Sequence, residues 1–345
     1  MSVSHPAAAG IAADVEAVEE IMRRGGPGLR ERMGQAETYL EDVTARAGAP
    51  LATHATATVV AGGKRLRPLL VLLAAESAGG VDGDSEREQS LIRAAVAVEL
   101  VHSATLVHDD VIDGAQLRRG HPTVAALAGR DTAVATGDLL FSCAFAELAR
   151  NGDSEQLRAL SDASSALAAG ELLQREDAYS ADIAVERYLE RCRLKTAALF
   201  EASCRLGALV VAAGNSELAS TLGAFAGRIG LAFQLLDDVL DVSGPAQRTG
   251  KARGTDLLDG TVTLPLILAR ERDERIAAFD LASLSGPEDA EGLCERIAAT
   301  GALEEARERA LSIVAAAKES LPAALAEGRQ ELLGLVADAV VERYC

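Results

Sequence analysis

The sequence predicts an all-α protein, and three observations carry that prediction. Ala and Leu dominate while aromatic residues are 3% and Trp is absent. Val and Ile recur mostly at helical spacing and seldom in the alternating runs of half-buried strands. Amphipathic stretches also follow one another to the C-terminus with only short interruptions. In chain order these breaks are GGPG (25 to 28), GGVDGD (79 to 84), RNGD (150 to 153) and LSGPED (284 to 289), each an ordinary Gly or polar connection between helices. Residues 1–14 read as a loose Ala-rich arm and 15–345 as a single domain, with no linker that would divide it.

Lys and Arg number 34 against 52 Asp and Glu, a formal charge of −18. This surface repels polyanions, so no nucleic-acid partner is expected, and a phosphorylated ligand would need its own local cluster of cations. Five cysteines lie scattered without metal-binding or disulfide-framework spacing. A reduced, cytoplasmic location fits them. The first residues lack the basic start and continuous apolar core of a secretory signal. Apolar runs such as LLVLLAA (69 to 75) are too short to span a bilayer, so no transmembrane segment is expected and any membrane contact would be peripheral.

One helical stretch breaks the electrostatic pattern. LVHDDVID (106 to 113) crowds Asp109, Asp110 and Asp113 among apolar neighbours, and QLLDDVLD (234 to 241) repeats the arrangement with Asp237, Asp238 and Asp241. On a helix the first and last Asp of each set lie about 40° apart and one turn along, with the middle Asp to the side. Like charges held so close either take up protons or bind cations. Hard divalent ions suit sparse carboxylates, Mg²⁺ above all, because it keeps its waters and bridges phosphate oxygens. An EF-hand is excluded by spacing. A paired-carboxylate glycosidase does not explain six aspartates.

Cations flank both acidic sets. GGKRLRP (62 to 68) supplies Lys64, Arg65 and Arg67, and LRRG (117 to 120) supplies Arg118 and Arg119 just past the first acidic set. Lys195 and Thr196 follow in RLKTAAL, and Lys251 stands in the Gly-rich segment 243–260, a candidate lid. Arg forks and Lys point charges are the usual partners of phosphate oxygens. His102 and Gln234 share the acidic helix faces, two turns and one turn before Asp109 and Asp237. Asp138, in TGDLLF, reads as a cap or orienting group.

Taken in order, GGKRLRP, HSATLVHDDVID, LRRGHPT, GDLLF, AGELLQ, KTAALF, FQLLDDVLD and the GK and GTDL of the loop resemble the trans-type polyprenyl diphosphate synthases over about residues 50–345. The resemblance implies an isoprenoid-synthase fold, a bundle of roughly a dozen helices around a deep cavity, usually a homodimer. It implies that Asp109 and Asp113 hold two Mg²⁺ ions and Asp237 a third, with Asp110, Asp238 and Asp241 supporting them and Mn²⁺ as a substitute metal. Arg118, Lys195, Thr196, Gln234 and Lys251 would contact an allylic diphosphate. Lys64, Arg67, His102 and Arg119 would hold the diphosphate of isopentenyl diphosphate, with Phe233 near its hydrocarbon end. Asp109, Asp113, Lys195, Asp237 and Lys251 would then carry catalysis. The implied reaction is metal-assisted ionisation of the allylic diphosphate, attack by the isopentenyl double bond and proton loss, a 1′-4 condensation. One departure stands out: DGTVTLP places Thr261 where many relatives have a lysine. Weaker or differently shared diphosphate contacts are expected, not an inactive protein.

In that family bulky residues just before the first acidic set close the cavity and stop chain growth. Here Val101, Ala104 and Thr105 stand there, none of them aromatic. A medium or long all-trans product, heptaprenyl to decaprenyl, is therefore expected, with Phe141 or Phe145 as a deeper floor. The alternatives are a short-chain farnesyl or geranylgeranyl synthase, a class I terpene cyclase, a non-catalytic partner subunit and a helical metal-binding scaffold.

Overall fold

A computed structural model describes residues 18–46, 48–49, 51–118, 120–180, 182–211, 216–244, 253–323 and 325–342. The Ala-rich arm 1–14 lies outside them, as do Arg119, Lys251 and the rest of segment 245–252 of the candidate lid. The described helices are α1 (Gly26–Ala45), α2 (Leu51–Val60), α3 (Leu66–Ala78), α4 (Ser85–Ile112), α5 (Val124–Ala128), α6 (Arg130–Ala149), α7 (Ser154–Asp177) and α8 (Val185–Cys192). They continue with α9 (Ala198–Val211), α10 (Ser216–Ser243), α11 (Thr255–Leu258), α12 (Leu264–Arg272), α13 (Glu274–Ala277), α14 (Pro287–Ala299), α15 (Ala302–Glu319) and α16 (Glu327–Glu342).

The breaks read from the sequence bound these helices, and the reasons are local. Asp84, in GGVDGD, caps α4 by accepting hydrogen bonds from the backbone N–H groups of Glu86 and Arg87, at 3.2 and 3.0 Å. Asp153, in RNGD, does the same for α7 through Glu155 and Gln156. Pro27 and Pro287 enter the first turns of α1 and α14, where a missing N–H costs nothing. The all-α expectation needs one small addition. LRRGHPT forms a hairpin in which β1 (Leu117–Arg118) pairs antiparallel with β2 (His121–Pro122), turning at Gly120 with φ of +80°.

The two acidic sets end the two longest helices, α4 and α10, 28 residues each. Both pack against α9, which also contacts α3 and α7. One apolar core runs through all of these, from Ile21 to Val340. By length and composition α4, α6 and α10 are each apolar enough to cross a membrane. Read as isolated runs the sequence hides this. In the fold, 72% of the apolar window of α4 and 56% of that of α10 is buried inside the bundle, against 39% for α6.

Close approach of α9 and α3 depends on one glycine. A Cβ at Gly207 would lie 2.0 Å from the carbonyl oxygen of Val71, a backbone atom that cannot swing away. Gly207→Ala is expected to cost about 1–3 kcal/mol from overpacking, after the better helix propensity of Ala is counted. Denaturant unfolding measures it, and an unchanged midpoint would show that the crossing is not held this tightly.

Candidate active site

The first acidic set does not act as a unit. Asp110 turns inward, 4% exposed, and accepts a 2.7 Å hydrogen bond from Nε of Arg118 on β1. The hairpin thus anchors onto the middle aspartate. Asp109 is half-buried, and no side-chain hydrogen bond holds its carboxylate among the described residues. Loss of water pushes the Asp109 carboxyl up to about 6, opposed by Lys195 and reinforced by Glu171 and Asp113. Asp113, the C-cap of α4, is exposed and ion-paired with Arg175 on α7.

The second set repeats the division of labour. Asp238 is 4% exposed and accepts hydrogen bonds from the Tyr188 hydroxyl at 2.6 Å and the Gln234 amide at 2.7 Å. Burial, with Asp256 and Asp237 nearby, pushes the Asp238 carboxyl up to about 7. Asp241 binds the entrance to α11: its carbonyl accepts from Gly254 at 3.0 Å and its carboxylate from the N–H of Asp256 at 3.2 Å. Asp237 is half-buried, on the same register as Asp109.

Between the two helix ends lies a feature with no sequence signature. Residues Arg193–Ala197, immediately before α9, form a π-helical turn. Such insertions re-aim side chains and gather at functional sites. The turn sends Lys195 and Thr196 to opposite acidic neighbourhoods. Lys195 bonds Glu171 and, at 3.2 Å, Gln174 on α7, and it is close enough to Asp109 to lower the carboxyl's proton affinity. Thr196 donates a 2.6 Å hydrogen bond to Gln234, which in turn holds Asp238. One turn of backbone therefore joins both acidic sets. Gly170 makes room for it: a Cβ there would sit 2.5 Å from the backbone N of Lys195 and 2.8 Å from its Cα.

The basic complement divides as well. Arg65, at φ of +50°, faces inward and pairs with buried Glu99 at 2.8 Å, so it braces the GGKRLRP turn. Lys64 is exposed and Arg67 half-buried, its guanidinium 4.8 Å from the Phe200 ring. Phe200 in turn packs on Phe233, centroids 5.7 Å apart, which ties Arg67 and Phe233 into one stack. His102 is half-buried, its carbonyl accepting from Thr105 at 2.8 Å. Val101 and Ala104 are fully buried, and Thr105 keeps some exposed surface. Thr261 is half-buried and donates its N–H to the carbonyl of Asp256 at 2.8 Å. Asp138 is exposed and lies 3.5 Å from His108, an orienting contact on α6.

Sequence reasoning gave no individual role to Glu171, Gln174, Arg175 or Tyr188. The first two lay within AGELLQ. Their spacing with Arg175, three and four residues apart on a helix, also suits a solvated face.

Among the described residues no three His, Cys, Asp or Glu side chains gather closely enough to hold a metal unaided. Mg²⁺ in such sites is bound through one or two carboxylates, with waters and substrate phosphates supplying the rest. The donor set, all carboxylate and flanked by Lys and Arg, fits a hard ion shared with a diphosphate.

The helical bundle and its paired acidic helix ends define an isoprenoid synthase. Its residues 49–297 match the polyprenyl synthetase family model. The chain is 35% identical to a short-chain isoprenyl diphosphate synthase of Methanothermobacter thermautotrophicus, over 94% of this chain and 98% of that protein. It is 42% identical to heptaprenyl diphosphate synthase component 2 of Geobacillus stearothermophilus, over 72% and 76%. A solved polyprenyl synthase from Caulobacter crescentus, complexed with calcium and isoprenyl diphosphate, superposes with a TM-score of 0.86 at 34% identity, covering 95% of this chain and 98% of that one. The chain belongs to the polyprenyl synthetase family and is a prenyltransferase. The cyclase, scaffold and non-catalytic readings give way to that membership.

Proposed function

We propose that the protein adds isopentenyl diphosphate units to an allylic diphosphate and releases a medium or long all-trans polyprenyl diphosphate, heptaprenyl to decaprenyl. The observation that carries the condensation is the π turn, which couples Lys195 to the first acidic set and Thr196, through Gln234, to the second. Asp109, Asp113 and Asp237 would hold Mg²⁺, with Mn²⁺ as a substitute. Bound there, the ions supply positive charge that stabilises the departing diphosphate. Lys195, Arg118 and Gln234 orient that diphosphate. Lys64, Arg67 and His102 hold the isopentenyl diphosphate and the Phe200–Phe233 stack lies under its hydrocarbon; Arg119 and Lys251, assigned to the two diphosphates by the family resemblance, lie outside the described residues. Catalysis is then orientation plus electrostatic stabilisation of the leaving group, with no nucleophilic side chain.

The chain-length part rests on α4. Thr105 is the small residue with open surface beside the first acidic set, and Phe141, half-buried on α6, packs against His108 with centroids 5.9 Å apart. Phe141 thus stands level with the first acidic set, and Phe145, one turn further along α6, is the deeper floor in this reading. Ala104→Phe with Thr105→Phe is expected to shorten the product by several isoprene units. Chromatography of products made from isopentenyl diphosphate with geranyl, farnesyl and geranylgeranyl diphosphate in turn reads this directly, and an unchanged product distribution would remove the floor assignment. The short-chain reading is favoured by the relative from Methanothermobacter thermautotrophicus, and the same chromatogram decides it.

Residues 15–345 would form one catalytic domain. A homodimer is supported by α6, which keeps much of its apolar window uncovered, and by Leu117 and Leu127, 65% and 66% exposed. The name of the component 2 relative makes a second subunit the alternative, and light scattering on the purified chain separates the two. A cytoplasmic location, with peripheral membrane contact for product release and no nucleic-acid partner, fits the thiols of Cys143, Cys192, Cys204 and Cys294 and the charge of −18.

A further inference from the structure

Arg175 occupies a position that the condensation does not require. It lies one turn beyond Glu171 on α7, half-exposed at the mouth of the site, and its guanidinium spans two carboxylates. One side bonds Asp113, the last acid of the first set, and Nε bonds Glu171 at 3.1 Å. Glu171 also holds Lys195. Glu171 is thus drawn to two cations, Arg175 and Lys195, and Asp113 to Arg175, while the nearby Asp109 feels both Lys195 and Asp113.

We propose that Arg175 is a resident counter-cation of the first acidic set, and that a divalent ion loads at Asp113 by displacing it. This deepens the metal reading of Asp109 and Asp113 and rests on it. A divalent ion and the Arg175 guanidinium repel each other across one carboxylate, so in this scheme the ion displaces Arg175 as it coordinates Asp113. The pair is exposed on both sides, 39% for Arg175 and 38% for Asp113, so it is weak enough to exchange. Its consequence is order of binding. Metal alone competes poorly with Arg175, whereas metal arriving with a diphosphate brings extra ligands for itself and an anion for the displaced guanidinium. Arg175 is a positioning residue in this scheme, acting through Asp113.

The test is Mn²⁺ binding to the full-length protein without substrate, read by electron paramagnetic resonance of the unbound ion. Arg175→Gln is expected to tighten binding about threefold to tenfold, the scale of an exposed ion pair plus the repulsion it removes. Arg175→Lys, which keeps the charge, is expected to stay near wild type. In an Asp113→Asn background Arg175→Gln is expected to tighten binding by clearly less, because only the through-space repulsion is then removed. Unchanged or weaker binding in Arg175→Gln overturns the inference while leaving the metal site intact. Wild-type binding that Asp109→Asn does not weaken, or no binding in any variant, overturns the metal reading and this inference together.

Discussion

Asp109→Ala is expected to lower kcat/KM for condensation on the order of a thousandfold, with the unfolding midpoint close to wild type. Asp109 is half-buried at the end of α4, and no described group bonds its carboxylate directly. Its neighbours are the charges that matter for a diphosphate clamp: Lys195, Glu171, Asp113 and Arg118. On the proposed metal reading, removing it takes away an ion ligand without breaking a side-chain hydrogen bond among the described residues. Asp110→Ala provides the contrast. It strips the partner from Arg118 in a buried spot and is expected to cost about 1–3 kcal/mol of stability. Incorporation of labelled isopentenyl diphosphate and denaturant unfolding, run on both variants, distinguish the roles. Activity within tenfold of wild type in Asp109→Ala would remove it from the site.

Gly170→Ala should combine both kinds of damage. The added Cβ would meet the backbone of Lys195 at 2.5 and 2.8 Å, so the π turn itself must move. Overpacking of this kind costs about 1–3 kcal/mol. A shift of about 1 Å in a positioned charge costs up to about a hundredfold in rate, and both Lys195 and Thr196 ride on the displaced turn. The expected result is a kcat/KM reduced tens of times beyond what the lost folded fraction explains. Gly207→Ala, remote from the site, is expected to lose stability alone. Equal specific activities for folded Gly170→Ala and wild type would show that the turn does not position Lys195.

The all-α fold and the family were legible in the sequence, because charge in an apolar helix has few innocent explanations. The repeat of DDxxD, the cations around it and the Gly and Pro breaks were all local patterns, and local patterns survive folding. What was not legible depended on tertiary placement. DDxxD does not say that Asp110 and Asp238 turn inward as hydrogen-bonded struts while Asp109 and Asp237 stay half-open, since that is decided by Arg118 and Tyr188. The π turn at Arg193–Ala197 carries no residue signature, because its extra residue is accommodated by Gly170 on another helix. Arg65 looked like a third phosphate-binding cation until its left-handed backbone sent it to Glu99. Arg175 carried no sequence signal because its partner Asp113 lies on a different helix.

The proposed function requires the ends of α4 and α10 to close on one metal–diphosphate cluster. Crystals grown with Mn²⁺ and a non-hydrolysable bisphosphonate, measured at the manganese absorption edge, test it most directly. Anomalous peaks are expected within coordination distance of Asp109 and Asp113 on one side and Asp237 on the other, all touching the same bisphosphonate. Peaks confined to one acidic set, or a bisphosphonate bound away from both, would contradict it.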